Sequence, residues 1–145
     1  MMARNRSAPI MIAITTVWLI ATAASARGAS QVGADDGWQI PAAASTEANP
    51  LAGGTEVIAR GRTLYRSKCQ RCHGAAGKGD GPDADSDHRP ADLSDARRAP
   101  RNPDGILFYK IWNGRAKPRM PAMKADLSRG DVWALIHYVK TLRVG

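Results

Sequence analysis

The sequence predicts an all-α protein in which about three main helices share one small core. Two observations carry that expectation. Apolar residues recur at helical spacing in three separated stretches, and no stretch of the chain reads as a convincing strand. A third observation bears on what fills the core. The only two cysteines stand three residues apart, with a histidine directly after the second, in Cys69-Gln70-Arg71-Cys72-His73.

The 145 residues suit a single domain. At the N-terminus, Arg4 and Arg6 precede an apolar stretch from Ile10 to Ala24, and Ala24-Ser25-Ala26 offers a small-residue cleavage site. This is the pattern of a secretory signal, so residues 1–26 are expected to be removed. The stretch is short of the roughly 20 residues that a membrane helix needs. An uncleaved N-terminal membrane anchor is the alternative. Cleavage removes two arginines and no acid, leaving 19 basic and 13 acidic residues, net +6. That balance is basic but moderate and does not call for nucleic acid as a partner. No later hydrophobic run is long enough to span a bilayer.

Residues 27–53 are rich in Ala, Gly, Ser and Pro and read as a flexible lead-in, partly wrapped on the domain, with Trp38 as a local anchor. The folded domain is expected over 54–145. Its first helix runs from Thr55 to about Lys68, with Val57, Ile58, Gly61, Leu64 and Tyr65 on one face. From Gly74 to Arg101 the chain is rich in Gly, Pro and Asp and reads as loop. Asn102-Pro103-Asp104 then offers a cap with proline at the first helical position. A short helix through Ile106, Leu107 and Ile111 follows, ending at Asn113-Gly114. Residues 115–127 are basic and proline-broken. Ser128 and Asp131 form an acidic variant of the capping box for a last helix, whose buried stripe is Val132, Leu135, Ile136, Val139 and Leu142. A domain of about 90 residues is marginal for an apolar core on its own. A buried cofactor would supply the missing apolar mass.

The Cys-x-x-Cys-His pattern is the attachment sequence of c-type haem. Each thiol adds across one of two haem vinyl groups, and residues three apart at a helix end can reach adjacent pyrroles. The next residue, His73, then offers its imidazole to the iron. Cys69 and Cys72 are therefore the expected covalent attachments of a single haem c, and His73 the proximal ligand. Other chemistries fit less well. A thioredoxin-like dithiol needs a strand–helix context that is missing here. A structural zinc site needs four ligands, and only His88 and His137 remain as further nitrogens. A disulfide between residues three apart would be strained. For the sixth position, Met120 and Met123 are the candidates, in Met120-Pro121-Ala122-Met123. Pro121 disfavours helix at Met120 and holds it extended, so that its long side chain can point inward. Met123 is explained as packing under the loop. His137 falls away from the buried stripe and is expected to face solvent; His88, in an Asp-rich loop, is expected to be solvated.

Over about residues 54–143 the chain resembles the class I c-type cytochromes, closest to the single-haem bacterial periplasmic type. The residues that carry the likeness are Gly61 to Tyr65, Cys69 to His73, Gly74 to Pro82 and Pro90-Ala91-Asp92-Leu93. Ile111-Trp112-Asn113-Gly114, Met120-Pro121-Ala122 and Val132 to Val139 complete it. The resemblance implies a cytochrome c-like fold in which the first and last helices cross, with Gly61 and Tyr65 facing Leu135 and Tyr138. It implies a ligand methionine directly before a proline, hence Met120. It implies that a proline carbonyl, here that of Pro82, accepts the other ring N–H of His73. Trp112 would pack on the haem edge, hydrogen-bond a propionate, or simply fill core.

The expected function is electron transfer, with Fe(III)/Fe(II) cycling between a periplasmic or membrane-associated donor and an acceptor. A dehydrogenase, a respiratory complex or a terminal oxidase would be such a partner. Arg115, Lys117, Arg119 and Lys124 beside Met120, with Arg71 and Lys78, would dock it partly by charge. A haem enzyme with a labile sixth ligand, peroxidase-like, is the alternative. A third possibility is a subunit fixed on a larger complex, with the lead-in as its docking arm.

Overall fold

The structure, a computed structural model, describes residues 37–144. The expected signal segment, 1–26, and the first part of the lead-in, 27–36, lie outside the described residues. The architecture is all helical. Helix α1 spans Thr55–Lys68, the one-turn helix α2 Gln70–His73, α3 Asp104–Asn113 and α4 Arg129–Thr141. Short 3-10 turns occupy Ala42–Ser45, Ala96–Arg101 and Leu142–Val144. Among the described residues there is no strand; one isolated bridge joins Arg115 to Met120.

The crossing of α1 on α4 is the most extensive helix contact. It depends on Gly61, where a Cβ would collide with the Ala134 carbonyl and with the Tyr138 Cβ. The closest approach is thus to Ala134, one residue before the expected Leu135. Tyr65 is fully buried one turn further on, with its ring centroid 5.2 Å from that of Tyr138. On α4, Val132, Leu135, Ile136 and Val139 are buried as the stripe predicts, and Trp133, Ala134 and Tyr138 join them. The stripe is wider than expected because α3 packs on a second side of α4, and Phe108 stacks on Trp133 at 4.3 Å.

The helix ends follow the local chemistry. Ser128 caps α4, accepting from the Asp131 N–H at 3.1 Å, while the Asp131 carboxylate accepts from the Ser128 N–H at 3.1 Å. On α3, Pro103 is itself the cap and helical geometry starts at Asp104, one residue later than expected. Gly114, at φ 59°, ends that helix.

Residues 38–53, expected as a flexible lead-in partly wrapped on the domain with Trp38 as a local anchor, lie against it at more points than Trp38 alone. Trp38, Ile40 and Ala44 are buried and form a second apolar cluster with Ile106 of α3. Three apolar residues suffice there because α3 presents a second apolar side, invisible to the periodicity of the lead-in itself. His137, expected in solvent, is half-buried, and its Nε2–H donates to the Leu51 carbonyl at 2.9 Å. Asn49 Nδ2 donates to the Trp133 carbonyl at 3.0 Å. The face of α4 opposite its main stripe is thus covered by the incoming chain.

Candidate haem site

Helix α1 ends at Lys68, and the chain bends at Cys69 before one further turn carries Cys72 and His73. That turn is tightly specified. The Cys69 carbonyl accepts from Cys72 N–H at 3.1 Å and from His73 N–H at 2.9 Å. The carbonyls left open at its C-terminus are closed by the following loop. Arg71 O accepts from Asp83 N–H at 2.8 Å, Cys72 O from Gly81 N–H at 3.2 Å, and His73 O from Gly79 N–H at 2.8 Å. Gly79 sits at φ 73° with its Cα against the Pro90 carbonyl, so a side chain has neither conformation nor room there. Tyr65 anchors the start of the loop by donating its hydroxyl to the Gly74 carbonyl at 2.7 Å.

The Gly-rich loop brings residues 90–93 back beside His73. His73 Nδ1–H donates to the Ala91 carbonyl at 3.1 Å. This corrects the expectation of Pro82: the loop from Gly79 to Asp83 is already committed to capping α2, and the acceptor comes from the return strand of chain at Ala91. The bond fixes the tautomer, with the proton on Nδ1, and leaves the Nε2 lone pair open. Burial lowers the basicity of the ring while the Ala91 bond opposes it. Neutral imidazole is the form that binds a metal.

Both cysteines are free and half-buried. Burial, and then the neighbouring Cys72, push the Cys69 thiol up to about 12. That is the opposite of the depressed pKa that a redox dithiol requires. Among the described residues no three His, Cys, Asp or Glu side chains form a cluster able to hold a metal ion.

The Met120 loop leaves α3 at Gly114. Arg115 and Met120 exchange both backbone bonds, Arg115 N–H to Met120 O at 2.8 Å and Met120 N–H to Arg115 O at 2.9 Å. Met120 is half-buried at the edge of the main core, as are Cys69, Leu64, Leu93 and Trp112. Met123 is buried within that core, 7% exposed. An open hollow of about 430 Å³ adjoins the loop, lined by Asn113, Arg119, Met120 and Pro121 among others.

A model of the cytochrome c family matches residues 58–143. The chain belongs to the cytochrome c family. That family binds haem c covalently, and Cys69, Cys72 and His73 have the required spacing. The residues present suit the group: two free thiols at a helix bend, an imidazole with Nε2 left open, and a half-buried thioether at the edge of the core that Cys69 also packs against. Among solved structures, this cytochrome is similar to a chain of the Kuenenia stuttgartiensis reducing HAO-like protein complex Kustc0457/Kustc0458. The TM-score is 0.58, with 29% sequence identity covering 64% of this chain and 46% of that one. The cytochrome thus spans less than half of that neighbour's length. A search of curated proteins finds no match.

Other expected residues find plainer roles. Trp112 stacks on Phe108 at 5.5 Å, and the Arg129 guanidinium lies over both rings. His88 is exposed in its Asp-rich loop, 3.7 Å from Asp85. Of the six cations expected around the haem, Arg71 is engaged by Asp83 at 2.6 Å, and Arg115 lies over the Trp38 ring at 4.7 Å. Lys78, Lys117, Arg119 and Lys124 are exposed. Ala91 was missed because it acts through its main chain, which residue type does not report. Its sequence signals are the run of glycines that allows the loop to return and its place in Pro90-Ala91-Asp92-Leu93, part of the family likeness.

Proposed function

We propose that this cytochrome c is an exported electron-transfer protein with one haem, held by thioethers at Cys69 and Cys72 and by axial bonds from His73 Nε2 and Met120 Sδ. Bound there, haem c supplies one-electron Fe(III)/Fe(II) chemistry. The chain's own contribution is to fix the ligands. The Ala91 carbonyl orients His73. The paired backbone bonds between Arg115 and Met120 hold the second ligand on a rigid turn. A soft methionine sulfur favours the reduced state, so the potential is higher than with two histidines. The observation that carries the reading is the contrast between the two methionines. Met120 lies half-buried on a proline-fixed, hydrogen-bonded loop, whereas Met123 is enclosed in core.

With His73 and Met120 both holding the haem, the site would pass electrons rather than activate peroxide or oxygen. This sets it apart from the peroxidase-like alternative, which needs a labile sixth position. The compartment is the periplasm, with a cleaved signal at 1–26 rather than a retained membrane anchor. Among the described residues no helix is long and apolar enough to cross a membrane. The partners are redox proteins: a dehydrogenase, a respiratory complex or a terminal oxidase.

The test is a set of variants of the exported protein. The intact mass should equal the chain from about residue 27 plus one haem, and replacing Cys69 and Cys72 together by Ala should remove covalent haem. Met120→Ala should abolish the weak sulfur-to-iron charge-transfer absorption of the oxidised protein, lower the potential and admit carbon monoxide to the reduced form. Met123→Leu should leave all three nearly unchanged. The reverse pattern would assign the ligand to Met123, and an unmodified wild type that already binds carbon monoxide readily would favour the enzyme reading.

A further inference from the structure

Met120 is supported from two directions. It packs against the main core, and it also packs against the second cluster, that of Trp38, Ile40, Ala44 and Ile106. That second cluster joins Ile106 of α3 to three residues from a part of the chain well ahead of α1. Trp38 is 9% exposed, and two cations from different elements lie over its ring. Lys110 Nζ, from α3, is 5.4 Å from the ring centroid, and the Arg115 guanidinium carbon, from the Met120 loop, is 4.7 Å away. Arg115 is the residue that exchanges both backbone bonds with Met120, and its Nε donates to the Pro118 carbonyl at 3.0 Å. A single aromatic ring therefore ties the lead-in to α3 and to the ligand loop at once.

Much of the first half of the loop faces solvent. Lys117, Arg119, Pro121 and Ala122 are exposed. Its second half is secured by Met123, which is buried and donates its N–H to the Ile111 carbonyl at 3.0 Å. Segments open locally according to the contacts they themselves make, not according to the stability of the whole domain. Arg115, bonded to the Pro118 carbonyl and lying over the Trp38 ring, is one support of the first half, which ends at Met120.

We propose that Trp38–Ser45 is a positioning strap for the ligand loop: Trp38, acting through Arg115, keeps Met120 in place and slows its exchange for other ligands. This rests on the reading of Met120 as the axial ligand. Trp38 is a positioning residue, since it acts through Arg115. The lead-in is then part of the redox site rather than a tether to it.

The experiment uses full-length, exported, haem-loaded protein and compares Trp38→Ala, Trp38→Phe, Met120→Ala and Val132→Ala. It reads the charge-transfer absorption of the oxidised form, the rate at which added imidazole occupies the iron, and hydrogen exchange at the Met120 amide. Trp38→Ala should speed imidazole entry about tenfold and accelerate exchange at Met120, because local opening no longer breaks the aromatic–cation contact. Trp38→Phe keeps a ring under Arg115 and should stay within about threefold of the parent. Val132→Ala, in the α4 core, lowers global stability without touching the strap and should not speed entry. If Trp38→Ala admits imidazole no faster than Val132→Ala, the strap is refuted. A charge-transfer absorption that survives in Met120→Ala overturns the ligand reading and the strap with it. Absorption lost in Met120→Ala but unchanged imidazole rates in Trp38→Ala overturn the strap alone. Should Trp38→Ala not accumulate, Arg115→Gln cuts the same link with the cluster left intact, and an unchanged rate there is equally decisive.

Discussion

Tyr65 illustrates how much of this site is settled by single atoms. Its ring fills the α1–α4 crossing, and its hydroxyl holds the Gly74 carbonyl at the start of the loop that frames His73. Burial, the largest cause, pushes the pKa of that hydroxyl upward, so it remains a donor at any ordinary pH. Tyr65→Phe keeps the packing and strands a buried carbonyl. The expected loss is about 1–2 kcal/mol in denaturant unfolding, with the visible spectrum unchanged. The two methionines make the same point in reverse. They are chemically identical and three residues apart, yet Met123 lies in the core and Met120 at its edge.

Helix α4 shows what a single element contributes. The Asp131 carboxylate is held below the ordinary carboxylate range, first by the hydrogen bond from the Ser128 hydroxyl and also by the Arg60 guanidinium on α1. The folded state therefore binds that proton more weakly than the unfolded chain does. The stabilisation is present in full above the unfolded value of about 4 and is lost as pH falls through the lower folded-state value. Two outcomes follow at this scale. Ser128→Ala should cost about 1 kcal/mol by removing the cap. The stability gap between wild type and Asp131→Asn should be largest near neutrality and close in acid, which chemical denaturation at a series of pH values would show. A gap independent of pH would mean that the carboxylate contributes by its shape alone.

Across the whole molecule, charge is distributed unevenly. Several cations are committed to internal partners: Arg60 to Asp131, Lys68 to Asp126, Arg71 to Asp83, Arg129 to Glu47 and Lys140 to Asp104. Exposed pairs of this kind contribute little to stability. The loop beside Met120 instead presents Lys117, Arg119 and Lys124 to solvent. Electron transfer to an acidic partner should slow as salt rises, since exposed charges are screened over about 8–10 Å at physiological ionic strength. Replacing Lys117, Arg119 and Lys124 by Gln should flatten that dependence without altering the visible spectrum. A rate indifferent to ionic strength would place docking elsewhere.

What the sequence determined by itself was local. The haem attachment motif lies within five consecutive residues, and thiol and imidazole chemistry at that spacing admits few readings. The three main helices follow from apolar periodicity, with α1 found at Thr55–Lys68 and the α4 cap at Ser128, because these signals also lie within a turn or two of the chain. What only the tertiary structure decided involves groups far apart in sequence or groups of the main chain. The partner of His73 is the carbonyl of Ala91, eighteen residues on, and a carbonyl is the same on every residue. His137 lies off the main stripe of its own helix, yet it is occupied because residues 49–51 return across α4. Trp38 reads from the sequence as a local anchor, but what it anchors to does not. It is buried because α3 has a second apolar side and the Met120 loop lays Arg115 across the ring. Local propensity sets elements; which backbone atom or ring a folded loop comes to rest on is fixed only when those elements pack.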